Sequence, residues 1–517
     1  MPRLFQLDDY EECFSSKRGA FCLGSFDLLE HSNQRLLQQV QDFSKDKYHF
    51  NHTHIHRGLC ITTHCAHIEA PTLRSRFEQC VGNITSTNYG LQTNLTHLEY
   101  CKTAKQGGRR PVDRLDMWFA WICGAIVLIN IIGTAYDVFK SSESKPNKFL
   151  MTWSLCVNWR RLTADYSDGD PRLSALKPVQ GMKALTMLLI MMAHSVLAHH
   201  ITYIYNPLFF EKASHKPMSA YFQNGTSIVQ TFIMASSFLL AYNLLLHSEN
   251  SKRPLSLGMF PKSLLHRITR ISPVYLFVLG MAVTWWYHVA DGPLWDPLVG
   301  GECDRCRDKW WTQALFINNL VRPDVRYMRT QFKDEASFTW LYQAPWDSLP
   351  SALIGLFVAF LHHQLQSQGY KPGDSLVIRI LYRVNVPCMF FWVFAGYFMK
   401  DVSSPAWVAL YAALDRPVFM SLTAFAMYGF FNKIDSLWWR FLSWRGWEVL
   451  GRMSLSIYLV HWLHALTVLA VRPQPSPVSV YDIGGHFLWT VFVSYPSAVL
   501  LHLFVELPAQ KFLQAIF

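Results

Sequence analysis

Nine long apolar runs dominate this chain, and runs of that kind leave few ways to fold. They lie at 117–136, 182–201, 228–246, 272–288, 349–363, 386–399, 418–431, 454–471 and 487–505. A helix needs about 20 mainly apolar residues to cross a bilayer. Backbone polar groups in lipid must also pair within their own segment, which selects helices. Only 16% of the 517 residues are charged, against roughly a quarter in soluble domains. The expected class is therefore an all-α multi-pass membrane bundle of about nine spans. Residues 1–115 stand before it as a small, disulfide-bonded, mainly helical extracytoplasmic domain, with helices expected over 28–43 and 73–80. The first span follows at 116–136, a cytoplasmic linker at 137–175, and the membrane domain at 176–517.

Loop charge sets the expected orientation. Lys140, Lys145, Lys148, Arg160 and Arg161 fill one loop. Lys252, Arg253, Lys262, Arg267 and Arg270 fill a second, and Lys433, Arg440, Arg445 and Arg452 a third. Basic loops mark the cytoplasmic side. The net charge of +11 thus belongs to topology, and nucleic acid is not an expected partner. Lys102, Lys105, Arg109, Arg110 and Arg114 crowd the other flank of the first span, which opposes an outside N-terminus. The opening residues contain no apolar core of a signal peptide, so a true start upstream of Met1 is the expectation.

Cysteine usage points the same way. Cys13, Cys22, Cys60, Cys65, Cys80 and Cys101 all precede the first span. The sequons at Asn51, Asn83 and Asn94 share this region, and a fourth lies at Asn224. An even cysteine set beside sequons implies an oxidising compartment and up to three disulfides, in any of fifteen pairings. Cys303 and Cys306, in a later outside loop, form a further candidate pair. The alternating His52, His54 and His56, near His64 and Cys65, read as exposed polar histidines, so no metal site is expected.

A histidine deep in a span is costly and marks function by default. His194 is such a residue. Lys183 lies eleven positions earlier, about three turns and ~16 Å along one helix face. A cation at the cytoplasmic mouth above a buried base suits an anionic substrate threaded inward. The plainer alternative is a polar helix–helix contact plus a snorkelling lysine. His461, in mid-span, either lines the same cavity as Lys183, His194 and Ser195 or bonds a neighbouring helix. His502 and Glu506, four apart on one helix face, read as a structural ion pair, although Glu506 is also a possible cavity residue. Asp415 and Arg416 read as a local ion pair.

Several segments together carry a resemblance. They are Gly181-Met-Lys183 with His194, Arg267-Ile-Thr-Arg270-Ile-Ser-Pro273, Cys306 with Trp310-Trp311 and Phe316-Ile-Asn318-Asn319, Leu442-Ser443-Trp444, Leu450-Gly-Arg-Met-Ser454-Leu-Ser456-Ile-Tyr458-Leu-Val-His461, and Glu506-Leu-Pro508. In this order they resemble the acyltransferase 3 family of membrane proteins. Arg57-Gly58-Leu59-Cys60 and Cys65 resemble the N-terminal domain of its animal branch, the nose-resistant-to-fluoxetine-like proteins. The resemblance implies acyl transfer from an acyl-CoA-like co-substrate to a lipid or small hydrophobic acceptor, with no permanently bound cofactor. His194 would be the general base, and Lys183, Arg267 and Arg270 would hold the donor's phosphates. Two departures stand out. The family usually has arginine at the position of Lys183, and lysine keeps the charge but loses the planar fork. Spans expected after Trp340-Leu-Tyr-Gln-Ala-Pro-Trp346 are absent, which shortens the membrane domain near 340–346. The alternatives are a transporter or inactive scaffold for lipids and hydrophobic compounds, or a receptor-like protein using its outer domain. A proton-coupled transporter would be expected to show mid-span acids, and none stands out.

Overall fold

The computed structural model describes residues 1–104, 110–140, 145–165, 176–219, 225–252, 254, 256, 258–318, 345–399, 402–434 and 436–516. Lys105, Arg109, Asn224, Arg253, Asn319 and the stretch 340–344 lie outside these.

The N-terminal domain is built on a sheet, not mainly on helices. Strands β1 (Phe5–Leu7), β2 (Ala20–Leu29), β3 (His54–Cys60) and β4 (Gln92–Thr103) form one sheet in the order β1-β3-β2-β4. β2 runs antiparallel to both neighbours, and β1 runs parallel to β3. Helices α1 (Gln34–Ser44) and α2 (Leu73–Tyr89) pack with this sheet, beside short helical turns at Tyr10–Ser15 and Ile61–His64. Side chains alternate across a strand, and β2 uses both of its faces. Cys22, Phe26 and Leu28 enter the domain's own core with Phe77, Ile55 and Val81. Phe21 and Leu23 point the other way, into a cluster with Trp286, Trp295, Leu466 and Ala470 of the later chain. Burial on both faces erases the polar alternation that would have advertised a strand. This is why the 28–43 expectation ran a helix back into β2.

Three disulfides fasten this domain: Cys13–Cys60, Cys22–Cys101 and Cys65–Cys80. Cys22 and Cys101 are direct cross-strand partners. Cys303 and Cys306 are not joined. They lie on one helix, Gly301–Ala314, rather than in a loop, and Cys303 is buried in the cluster that receives β2.

The remaining chain is helical. Its principal helices are α3 (Arg114–Phe139), α4 (Lys177–Ile201), α5 (Leu208–Ser214), α6 (Gly225–Ser251), α7 (Met259–Val283), α8 (Gly301–Ala314), α9 (Leu349–Ser367), α10 (Leu376–Phe398), α11 (Pro405–Phe431), α12 (Ser454–Ala470) and α13 (Val480–Leu501). Among the described residues, seven helices are long and apolar enough to cross a membrane. An eighth candidate arises if Arg445–Arg452 and α12, which meet at a 69° bend, form one span. The expected count of nine is not reached among the described residues, and 272–288 is one stretch that falls short. There, Lys262, Arg267 and Arg270 occupy the first half of α7 and leave only 271–283 apolar, and the chain then breaks into a short 3₁₀ turn at Trp285–His288. Large exposed apolar side chains such as Trp121, Phe391 and Phe398 make up a surface suited to lipid. The fold is that of an integral membrane protein.

α4 is the inner helix. Half of its most apolar stretch is buried inside the protein, against 11% for α10, and it packs on α6, α12 and α13. Its C-terminal end meets the N-terminal domain, where Phe50 packs on His200 and Phe5 stacks on Tyr203.

His56 sits in that junction, its Nδ1 2.8 Å from Ser25 Oγ. Burial, with lesser repulsion from His54 and Arg57, pushes its pKa down to about 3. The folded state thus holds fewer protons than the unfolded state between about pH 6.5 and 3. Stability is complete above that window and falls as pH drops through it. Thermal melting of the purified chain in detergent should show about 2 kcal/mol less stability near pH 4.5 than near pH 7, and His56→Gln should remove that part of the dependence. Maleimide labelling of the denatured, unreduced chain should modify five cysteines (Cys123, Cys156, Cys303, Cys306 and Cys388). The other six should react only after reduction.

Candidate functional site

Gly181 opens the polar face of α4 and also sets how closely its neighbour approaches. A Cβ added at Gly181 would sit 2.1 Å from the Leu442 carbonyl oxygen, and one at Gly451 would sit 2.3 Å from the Gln180 carbonyl oxygen. Only two glycines permit this double backbone crossing. Three of the segments that carry the resemblance, around Gly181, Leu442 and Gly451, therefore meet at one point.

Beyond it, α4 presents His194 to His461 of α12. His194 Nδ1 lies 2.7 Å from His461 Nε2, and the rings stack at 5.0 Å with planes 7° apart. Trp462 stands edge-on to His194 at 5.2 Å. The tautomers follow from the far end of the chain of bonds. His461 Nδ1 is 3.2 Å from the Ile457 carbonyl oxygen, which only accepts, so this nitrogen donates. Its Nε2 must then accept, and His194 donates to it from Nδ1. The lone pair of the pair is left on His194 Nε2, which has no hydrogen-bond partner among the described residues. His461 is buried, 1% exposed. No local pattern could single out His461 as the partner, because the two residues are 267 positions apart.

The cations gather at the other end of α4. Arg270 is within electrostatic reach of Lys183 and of Arg267. Arg267 donates to the Ser236 carbonyl oxygen at 2.6 Å, which ties α7 to α6. Among the described residues no carboxylate pairs with Lys183, Arg267 or Arg270. An unneutralised cationic group of this kind can receive an anion.

Other expected residues do different work. Ser195 is buried and donates to the Met191 carbonyl oxygen at 2.9 Å, within its own helix. Glu506 is held by Ser456 Oγ at 2.5 Å and His502 Nδ1 at 2.7 Å, all of them buried. That joins α12 to the end of α13. Arg416 does not pair with Asp415. It pairs with Asp347, while Asp415 accepts from Tyr411 at 3.0 Å and from Trp392 at 3.2 Å. Of the described sequons, Asn51, Asn83 and Asn94 are all exposed. Sequence reasoning also missed Asp116, fully buried and bonded to Arg307 at 2.7 Å. A cleft of about 370 Å³, lined by Tyr10, Phe14, Lys102, Asp291 and Val471, lies at the junction of the N-terminal and membrane domains, and His194 does not line it.

The chain is similar to nose resistant to fluoxetine protein 6 of Caenorhabditis elegans. The two are 20% identical over an alignment of 628 positions, which takes in 97% of this chain and 73% of the relative. The alignment is longer than the 517 residues here, so the relative carries positions with no counterpart. No family model matches the chain, and no solved structure matches it.

Removing the Glu506 carboxylate should leave His502 and Ser456 buried without a partner. Glu506→Ala should cost about 3–5 kcal/mol, read as a fall in the detergent melting temperature, with Glu506→Gln losing less.

Proposed function

We propose that this chain is a membrane O-acyltransferase that moves an acyl group from an acyl-CoA-like donor to a lipid or small hydrophobic acceptor. The observation that carries the reading is the His194–His461 pair. A general base needs a free lone pair and a partner that fixes its ring. His461, anchored on the Ile457 carbonyl, supplies the second and leaves Nε2 of His194 for the first. The acceptor hydroxyl would give its proton to His194 Nε2 as its oxygen attacks the thioester carbonyl. The C–O bond forms, the C–S bond breaks, and the leaving thiolate takes a proton in turn. Lys183, Arg267 and Arg270 would hold the donor's phosphates at the opposite end of the helix from the N-terminal domain. The distant likeness to a nose resistant to fluoxetine protein supports an acyltransferase-3-like membrane protein.

The same reading puts the N-terminal domain on the extracytoplasmic side, where its three disulfides would be stable and Asn51, Asn83 and Asn94 would be open to glycosylation. The basic ends of α4 and α7 then face the cytoplasm, where acyl-CoA is made.

The test is transfer of a labelled acyl group from acyl-CoA in membranes expressing the chain, with variants matched for folded protein. His194→Ala should lower the rate by about 10²–10⁴-fold, the span of general-base catalysis. His461→Ala should lower it less and shift its pH profile, since it acts through His194. Lys183→Arg should lower KM for the donor. Folded parent protein that transfers nothing to a panel of lipid acceptors, while still binding lipid, would favour the transporter or scaffold reading.

A further inference from the structure

The loop after α1 carries Asp46 and His49, and it lies against the C-terminal end of α5, where His215 caps the helix. One atom from each residue points to a common centre. His49 Nε2 is 4.0 Å and His215 Nε2 3.7 Å from Asp46 Oδ2, and all three atoms lie within 4.8 Å of one another. We propose that Asp46, His49 and His215 hold a divalent metal ion of the zinc type, which clamps the N-terminal domain to the membrane domain.

Three features raise this above a chance meeting of polar groups. The first is the donor set. Two imidazoles and one carboxylate make a three-ligand zinc sphere that keeps a fourth position for water. Zinc bonds of about 2.0–2.2 Å put tetrahedral ligand atoms some ~3.4 Å apart, so the two Asp46 spacings of 3.7 and 4.0 Å close by about 0.3 and 0.6 Å, and the two imidazole nitrogens start within 4.8 Å of each other.

The second is the outer layer, which orients metal ligands in known sites. His49 Nδ1 donates to the Phe43 carbonyl oxygen at 2.9 Å, and its ring stacks on Phe43 at 4.1 Å. That bond fixes the tautomer with the Nε2 lone pair turned to the centre. Asp46 Oδ1 accepts from the Tyr48 backbone N–H at 2.9 Å, and Oδ2 is the oxygen nearest to both imidazoles. The His215 ring stands edge-on to Tyr48 at 5.1 Å.

The third is that the two sides are already held together. Glu211 of α5 is buried and takes His52 Nε2 at 2.7 Å and the Phe50 backbone N–H at 3.2 Å, both from the same loop. The ion would therefore find its ligands in place and need not assemble them. The histidine run at 52, 54 and 56 does not form such a centre. His52 pairs with Glu211, His54 Nδ1 with Asp27 at 2.6 Å, and His56 with Ser25.

The experiment uses the full chain, tag-free in detergent, stripped with EDTA, reloaded with zinc and desalted. Elemental analysis should return about one zinc per chain. His49→Ala and His215→Ala should each lose it, while His54→Ala should keep it. Zinc should raise the melting temperature of the parent and of His54→Ala, but not of the other two. Cobalt in place of zinc should give the visible absorption of a tetrahedral ion in the parent alone of the parent and His49→Ala pair. A folded parent that retains no zinc, or equal zinc in the parent, His49→Ala and His215→Ala, overturns the proposal. Size-exclusion profiles that match the parent separate loss of the site from loss of the fold.

Discussion

Lipid offers no hydrogen bonds, and this single constraint accounts for most of the polar contacts between the helices. Many of the polar groups that enter the bundle find a partner there. Asn130 of α3 donates to its own helix at Ile126 and across to Phe504. Ser195 turns back onto Met191. Ser456, His502 and Glu506 satisfy one another. His194 and His461 obey the same rule, but their network leaves one lone pair unspent on His194. A base cannot work without that lone pair.

The second organising feature is β2. Cys22, Phe26 and Leu28 close the core of the N-terminal domain, and Phe21 and Leu23 enter the cluster shared with the membrane helices. One strand thus belongs to two cores. The domain cannot swing away without exposing Phe21 and Leu23, both fully buried. The ion pairs of Lys102 with Asp291 and Asp296 and the His52–Glu211 bond fix the orientation of that contact. The disulfides hold the strand edges that the contact depends on.

These two features link the chemistry to the fold. α4 runs from the cationic group at Lys183, past His194, to the junction with the N-terminal domain. The glycine crossing at Gly181 and Gly451 brings α4 against the segment leading into α12, and α12 is the helix that carries His461. A residue larger than glycine at that crossing would push the helices apart and lengthen the contact between the two histidines.

Much was legible in the sequence because it depends on one segment at a time. Apolar length marked the helices that cross the membrane, and six early cysteines marked a stapled domain. Helical periodicity put Lys183 and His194 on one face of α4. What depends on two distant segments was not legible. The sheet was hidden because β2 is buried on both sides, which removes its period of two. The pairing of six cysteines had fifteen solutions; strand register set Cys22–Cys101, and the packing of helices on the sheet set the other two. Asp415 and Arg416 are adjacent in sequence, yet Arg416 reaches Asp347 because α11 turns it toward the start of α9. Cys303 and Cys306 look paired by spacing, but a helix holds them as neighbours on its own surface. The sequence by itself determined that this is a multi-span membrane protein with a histidine and a cation on one face of a mid-chain helix. Tertiary structure alone decided which partner orients that histidine, because the bond joins residues 267 positions apart and only helix packing brings them within 2.7 Å.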